Sequence, residues 1–473
     1  MFKSLPIHIV EPNGSCTVSL PDPRQSFWYQ YYIISPQLSG TGSKKFLRKF
    51  RYRFRLPYDK FLELFEQAKV EPRFQRWLRV DATGRVSSPL SLMLLGALRY
   101  TGRGFTFDDI CECTYVSEET HRVFYHEFIE WGSTVLYEKF VITPKCSDDV
   151  KRHSEDYTKA GFTGAIGSVD AVHIILEKCS HRLKQSHLGG KSSLTCRTFN
   201  VVVNNRREII HTTPGYPARW NDKTLVLFDD FLKGIQSGDL LNDCRFELFE
   251  YDENKVICRK QYQGCWIIVD NGYLPWPTTI PPFKDVKFRD EFRWSEWIES
   301  MRKDVECCFG ILKGRWRILK TGVRIWGVEP ATKIFKTCCA LHNWLLKIDG
   351  LDVNSNSDWL GTMGWHEFDD TDKFIPAALV RLRNLEKHNT TINIDTMLPS
   401  EMQQMDITKH HYVIDKVIAN NYIPHMAMNE SLSSEISEDN NQPMKVINMT
   451  QQAFRKKLVE LFNIFSRRIS PNN

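Results

Sequence analysis

The sequence predicts an α/β fold, a mixed sheet with helices packed on it, preceded by a small all-helical region. Three observations carry this. Between Phe162 and Asp270, short apolar and β-rich runs alternate with turn residues and a helical stretch. A long helical pattern follows from Ser295 to Lys313, and before residue 150 apolar residues recur at helical spacing instead. Strand, hairpin, helix, strand, helix is the order of a layered α/β architecture.

Size and composition agree. A chain of 473 residues is long enough for two or three folded units. It is 42% hydrophobic and 25% charged, a globular balance. No run of 18 apolar residues occurs, so no membrane-spanning helix is expected. The opening MFKSLPIHIVEPNGS lacks the apolar stretch of a secretory leader. The 13 cysteines are scattered or adjacent (Cys307-Cys308, Cys338-Cys339), which suits neither a disulfide framework nor a structural zinc. These features predict an intracellular protein with reduced thiols.

Taken in order, residues 1–43 are rich in Pro, Gly and Ser and read as a loosely ordered arm. A helix is expected from Pro57, with Phe61, Leu62, Leu64, Phe65 and Ala68 at helical spacing. Pro89 opens a second helix running to about Tyr100, ended by Gly102 and Gly104. Thr106 caps a third with Asp109 as its capping-box partner, and Ser117 caps a fourth, EETHRVFYHEFIEW. The last three, over 89–132, match either a helical bundle that only packs against the next domain or a helix-turn-helix that would present Glu119, His121, Arg122 and His126 to a DNA groove.

Beyond Phe162, TGAIGSVDAVHIIL reads as a strand around Asp170. RTFNVVVNN and REIIHTT form a hairpin about Asn204-Asn205-Arg206, and a helix begins at Asn221. FELFEYDENKVICRKQY is a second hairpin, and CWIIVD is a buried strand ending at Asp270. Residues 352–448 are less patterned, and Asn429–Pro443 reads as a disordered linker. Thr450 caps a last helix whose Phe454, Leu458, Leu461 and Phe465 form an apolar stripe, expected to dock on a partner or on the protein itself.

The net charge is only +6, but it is unevenly spread. Lys44 to Arg55 holds seven Lys or Arg and no acid: Lys44, Lys45, Arg48, Lys49, Arg51, Arg53 and Arg55. A second cluster comprises Lys313, Arg315, Arg317, Lys320 and Arg324, a third Arg182, Lys184, Lys191 and Arg197. Localised positive charge suits a polyanion such as nucleic acid, although Lys44–Arg55 also reads as an import signal.

Three carboxylates stand out. Asp170 and Asp270 each follow an apolar, β-rich run, where α/β sheets gather ligands. Glu306 flanks the helical stripe Trp297, Met301, Val305, Cys308 and Leu312, with Arg302, Lys303 and Lys313 around it and Gly310 leaving room one turn on. Alone, it reads more readily as an ion-paired structural residue than as a metal ligand. Cleaving a phosphodiester requires charge neutralisation and an activated water or hydroxyl, and two divalent ions supply both. Two Asp and one Glu suit a hard ion such as Mg²⁺.

Together these segments resemble the DDE transposase domain of the PIF/Harbinger superfamily. GSVDAVHI is similar to its first-Asp segment, IIVDNGYLPWP to its second, and SMRKDVECCFGILKGRWRIL to its Glu helix; ALHNWLL also looks familial. Thirty-five residues separate Asp270 from Glu306, a close spacing, and the similarity covers about 160–348. PARWND matches the family's further Asp at Asp222, with Asn221 where the family has His. Ala171-Val172 and Cys307 also depart from the pattern without removing a carboxylate.

The resemblance implies an RNase H-like fold with Asp170, Asp270 and Glu306 as the catalytic triad and Mg²⁺ or Mn²⁺ ligands, their carboxyls converging to metal-sharing distance, with Asp222 a further candidate. It implies cut-and-paste cleavage of double-stranded DNA at element ends and target sites, in the nucleus, with a Myb-like DNA-binding partner protein and a homo-oligomer as possible assemblies. DNA contacts are expected from Lys44, Lys45, Arg48, Lys49, Arg51, Arg53, His121, Arg122, Lys313, Arg315 and Arg317. The expected organisation is a basic arm over 1–56, a helix-turn-helix-like domain over 57–150, the nuclease domain over 160–348, a less ordered region over 349–448 and a terminal helix over 449–473. The alternative is a domesticated descendant that binds DNA or chromatin without cutting.

Overall fold

A computed structural model describes residues 7–10, 16–19, 21–38, 43–80, 87–190, 193–251, 253–254, 256–349, 437–438 and 443–469. Lys191 and nearly all of the region expected to be a linker lie outside them. The chain divides into two compact units, one built from residues 1–140, 174–197 and 311–345, the other from 141–173, 198–310 and 346–473. Among the described residues no helix is long and apolar enough to cross a membrane.

Among the described residues up to 140, the first unit is helical apart from a hairpin, β1 (Ile7–Val10) with β2 (Cys16–Ser19). Its helices are α1 (Ser35–Leu38), α2 (Lys44–Phe54), α3 (Tyr58–Val70), α4 (Leu90–Arg103), α5 (Phe107–Thr114), α6 (Glu118–Trp131) and α7 (Tyr137–Phe140). The basic Lys44–Arg55 segment is therefore a folded helix, not an arm. Ser43 caps its start, and Phe46, Phe50 and Phe54, four residues apart, bury one face while Lys44, Lys45, Arg48 and Lys49 stay exposed. An aromatic every turn drives this: the rings meet Tyr32, Tyr58 and Phe61 edge-on or tilted.

The three helices expected over 89–132 form as α4, α5 and α6. Thr106 and Asp109 make the reciprocal capping box, and Ser117 caps α6. Every residue of α4 from Leu90 to Gly102 is buried, so it is the unit's central helix.

The second unit centres on a six-stranded sheet. Its strands are β3 (Ala165–Ile175), β4 (Cys196–Val203), β5 (Ile209–Thr212), β6 (Tyr216–Pro217), β9 (Trp266–Ile268) and β10 (Thr279–Ile280), in the order β10-β9-β3-β4-β5 with β6 on β4. β10 and β3 each pair parallel to β9, while β4 and β5 form the expected antiparallel hairpin, so the sheet is mixed. Asn204 Oδ1 closes that hairpin by accepting the Arg206 and Glu208 amides. Helix α8 (Ser147–Lys159) precedes the sheet, and α9 (His181–His187) lies in the first unit's segment. Short helices α10 (Asp222–Leu227) and α11 (Asp230–Ser237) replace the single helix expected from Asn221, because buried Asp229 stops one and caps the other.

The second expected hairpin is β7 (Arg245–Tyr251) with β8 (Ile257–Gln263). The long helix α12 (Arg289–Arg315) exceeds its expected bounds at both ends, and α13 (Ile318–Thr321) and α14 (Val328–Ile348) follow. Two short strands, β11 (Ser437–Glu438) and β12 (Met444–Lys445), return to pair parallel with β8. The terminal helix α15 (Gln451–Ile469) then docks on the protein itself. Phe454, Leu458 and Leu461 are buried in one core with Phe246, Tyr262, Trp266, Trp294 and Ile298. The side chain of Phe465 lies outside those described.

Candidate metal centre

Parallel pairing of β3 with β9 sets the site. Ser168 is paired with Ile268, and two residues further along each strand path come Asp170 and Asp270. Side chains two apart on a strand share a face, so the two carboxylates leave neighbouring strands side by side. Asp170, expected at a strand end, lies within β3, which runs on to Ile175 as Val172 and Ile174 keep packing inward.

Helix α12 brings the third carboxylate. Ser168 Oγ donates to the Met301 carbonyl at 3.3 Å, and Asp304 pairs with Arg207 at 3.4 Å. Met301, Val305 and Cys308 are buried as the helical stripe requires, with Trp297 partly so, leaving Glu306 on the exposed flank. A Cβ at Gly310 would meet nothing within 4 Å, so the space expected there is open.

Arg302, one turn before Glu306, holds the arrangement together. Its Nη2 donates to Glu306 Oε1 at 2.8 Å and to Glu299 Oε1 at 2.7 Å, and its Nη1 stands 3.7 Å from Asp170 Oδ2. Lys303 adds a contact to Glu306 Oε2 at 3.2 Å. Burial pushes the Asp170 carboxyl up to about 6; Asp270 and Glu306 add to the rise, and the Ala171 amide and Arg302 oppose it. Among the described residues, no three His, Cys, Asp or Glu side chains stand together as a ready metal-holding group. The expected convergence to metal-sharing distance is thus not met. Uncompensated carboxylates repel, and a guanidinium sits between Asp170 and Glu306 instead.

Asp222 has two expected roles, capping its helix or joining the site. Asn221 does the capping, its Oδ1 accepting the Thr224 amide at 2.9 Å. The Asp222 side chain reaches Gly272: a Cβ there would lie 2.8 Å from Asp222 Oδ2 and 3.0 Å from Asp270 Oδ1. Glycine in the Asn271-Gly272 turn lets both carboxylates approach the same backbone, and the Gly272 amide donates to Asp270 Oδ1 at 2.8 Å.

Beneath them lies a polar floor that the sequence does not announce. Tyr273 is buried, its hydroxyl donating to Asn200 Oδ1 at 2.6 Å, and Asn200 Nδ2 donates to Asp229 Oδ2 at 2.6 Å. Burial raises the Tyr273 hydroxyl well above its ordinary value, and Asp170, Asp222, Asp270 and Asp229 all add to this. That tyrosine senses four carboxylates. Its place three residues after Asp270 is the only sequence trace of the role.

The donor set fits a hard divalent cation. It is all carboxylate oxygen, and Asp170 titrates high through burial beside two like charges, a cost that added positive charge would relieve.

Some of the expected nucleic-acid residues are not surface groups. His121 is 2% exposed, its Nε2 is 2.8 Å from Thr114 Oγ1, and burial lowers it to about 4, so it is a neutral core residue. A Cβ on Gly96 would touch its ring at 2.8 Å, which shows how tightly α4 covers it. Arg122 is exposed but pairs with Glu119. Arg315 is 3% exposed, and burial lowers the Lys313 amine. Neither Arg315 nor Arg197, which is buried against Thr332 at 2.8 Å, offers charge to a surface. Lys44, Lys45, Arg48, Lys49 and Arg317 are exposed, with Arg51 and Arg53 partly so.

Residues 138–352 match the family model described as plant transposon protein. Over 278 residues the chain is 23% identical to Protein ALP1-like of Arabidopsis thaliana, covering 55% of this chain and 62% of that protein. The chain thus spans somewhat under two thirds of the length of the curated relative it matches. No solved structure matches the chain. The segment 138–352, which holds the PIF/Harbinger-like motifs around Asp170, Asp270 and Glu306, is thus similar to the plant transposon protein family.

Proposed function

We propose that this transposase-derived protein is a DDE-type, divalent-metal-dependent DNA nuclease on an RNase H-like fold, with Asp170, Asp270 and Glu306 as its catalytic carboxylates. One observation carries the reading: parallel pairing of β3 with β9 sets Asp170 and Asp270 on neighbouring strands, and Arg302 links Asp170 to Glu306. Three acids from two parallel strand paths and one helix supply the all-oxygen ligands that a hard cation uses. Mg²⁺ or Mn²⁺ would be held by these three, with Asp222 at their edge, and would neutralise the scissile phosphate and activate the attacking oxygen.

The protein's own groups have separable roles. Arg302 compensates the carboxylates. Asn200 and Asp229 fix Tyr273, which supports the Asp270 turn from below. The exposed face of α2 and Arg317 hold duplex backbone, with Arg122 of α6 as the remaining helix-turn-helix contact. Action at element ends and targets in the nucleus, with a Myb-like partner protein and self-association, completes the proposal.

A second reading is favoured by the Arg302 bridge and by the lack of a ready three-acid group among the described residues. In it, the guanidinium permanently replaces the metal and the protein binds DNA without cutting. Nicking of supercoiled and end-bearing linear DNA in Mg²⁺ and in Mn²⁺ separates the two. The nuclease reading expects cleavage by the natural protein and none by Glu306→Gln, with DNA binding in Ca²⁺ retained by both. Cleavage that persists in Glu306→Gln contradicts the assignment, and a natural protein inert in both metals supports the non-cutting descendant.

A further inference from the structure

We infer that Arg99 and Arg103, with Arg55 and Arg317 beside them, form a binding site for a phosphate-bearing polyanion in the first unit. The four side chains come from three places in the chain. Arg55 is the left-handed C-cap of α2, Arg99 and Arg103 are one turn apart on α4, and Arg317 caps α13. Gly102 gathers them: its carbonyl accepts from Arg55 Nε and from the Arg317 amide, each at 3.4 Å. A Cβ at Gly102 would stand 2.7 Å from Arg55 Cγ, so a side chain there would push Arg55 off α4.

Aromatic rings orient the guanidinium groups. Arg103 lies 4.7 Å over the Tyr52 ring and donates to its hydroxyl at 3.3 Å, and Arg55 lies 6.0 Å over the same ring. Arg99 stacks 4.0 Å over Phe105 and donates through Nη1 to the Arg53 carbonyl at 3.2 Å.

The cluster has a charge problem. Arg99 is only 8% exposed, and its Nε is buried with no hydrogen-bond partner among the described residues. Its bonds, like those of Arg103, go to a carbonyl or a hydroxyl, not to a carboxylate. Two other arginines do better: half-buried Arg206 pairs with Asp156, and buried Arg302 with Glu299. Asp109, whose carboxyl feels Arg99, is committed to the Thr106 cap. Burial first, then mutual repulsion among Arg99, Arg103, Arg317 and Arg53, lowers Arg55 and Arg99 to about 10 each. Burying like charges together is costly unless an anion joins them. Guanidinium forks placed over aromatic rings match phosphate oxygens in pairs. The cluster belongs to the first unit and the carboxylate centre to the second, and the inference holds whether or not the protein cuts DNA.

The test measures thermal stabilisation of the full chain by sodium tripolyphosphate, and anisotropy of a labelled DNA duplex titrated with protein. The variants are Arg103→Gln, Arg317→Gln and Arg99→Gln, with Lys69→Gln, whose amine pairs with Glu66, as the charge control. The expected result is saturable stabilisation by tripolyphosphate, weakened about tenfold or more in the site variants and kept in Lys69→Gln. If the duplex competes with tripolyphosphate and loses affinity in the same variants, the ligand is DNA backbone. If duplex affinity is unchanged in them, the site takes a free polyphosphate. Should Arg99→Gln fail to fold, Arg103→Gln and Arg317→Gln still decide the matter. No saturable stabilisation of the natural protein, or an equal loss in Lys69→Gln, overturns the inference.

Discussion

Arg302 reaches from its helix to within 3.7 Å of Asp170 on the neighbouring strand, while the same guanidinium holds Glu306 at 2.8 Å. Its hydrogen bonds to Glu299 raise its own affinity for the proton further, so it stays charged throughout. Removing it as Arg302→Gln leaves three acids facing one another and should destabilise the fold by about 3–5 kcal/mol. Mg²⁺ should restore more stability to this variant than to the natural protein, because the cation takes over the compensation. Thermal denaturation with and without Mg²⁺ checks this; a variant indifferent to Mg²⁺ would show that the acids do not share an ion.

Asp170 should make stability depend on pH. Its folded value, about 6, lies above the ordinary aspartate value of 3.8, so the group favours the fold when protonated. That contribution is complete below about pH 4 and is lost as pH rises through about 6. At pH 8 its ionisation costs the fold about 3 kcal/mol, since each tenfold change in proton affinity is worth about 1.36 kcal/mol. Asp170→Asn should therefore be more stable than the natural protein at pH 8, with the difference closing below pH 4. Denaturant titrations across this range measure it, and a constant difference would contradict the account.

Asn221 and Asp222, adjacent in sequence, should behave oppositely. Asn221→Ala removes the α10 cap and should cost about 1 kcal/mol while leaving metal affinity unchanged. Asp222→Asn keeps the cap and removes a charge beside Asp270, so it should weaken metal binding. Measuring denaturation and Mn²⁺ affinity in both variants separates the roles; a weakened metal site in Asn221→Ala alone would reverse them.

The terminal helix should be part of the fold. Phe454 packs edge-on to Trp266 and lies 6.2 Å from Phe246, centroid to centroid. Phe454→Ala should cost about 3–5 kcal/mol and Leu458→Ala about 2–5 kcal/mol. Deleting 449–473 should do more damage than either. A truncated chain as stable as the full one would show that α15 is an accessory.

Local chemistry is legible in the sequence where the cause is local. The Thr106 capping box, the Asn204 turn and the stripe of α12 are readable because their partners lie within a few residues. The sequence suggests a strand end at Asp170 although Val172 and Ile174 continue the alternation, because an apolar run does not mark where pairing stops. His121 reads as a groove contact because nothing near it in sequence reveals Gly96 and Thr114 closing over its ring. The stripe of α15 is visible but not its seat, since Phe246, Tyr262 and Trp266 lie almost 200 residues earlier. At the site, motif resemblance singles out Asp170, Asp270 and Glu306. The Arg302 bridge and the Tyr273–Asn200–Asp229 floor come from strand register and helix packing, which no spacing states.

The central claim is that Asp170, Asp270 and Glu306 share a divalent cation, and calorimetric titration of Mn²⁺ at pH 7.5 tests it most directly. The natural protein should bind Mn²⁺ saturably, with Mg²⁺ competing. Asp170→Asn, Asp270→Asn and Glu306→Gln should each weaken binding about tenfold or more, non-additively when combined, because the ligands act as one unit. Saturable binding unchanged in all three variants, or none in the natural protein, would contradict the account.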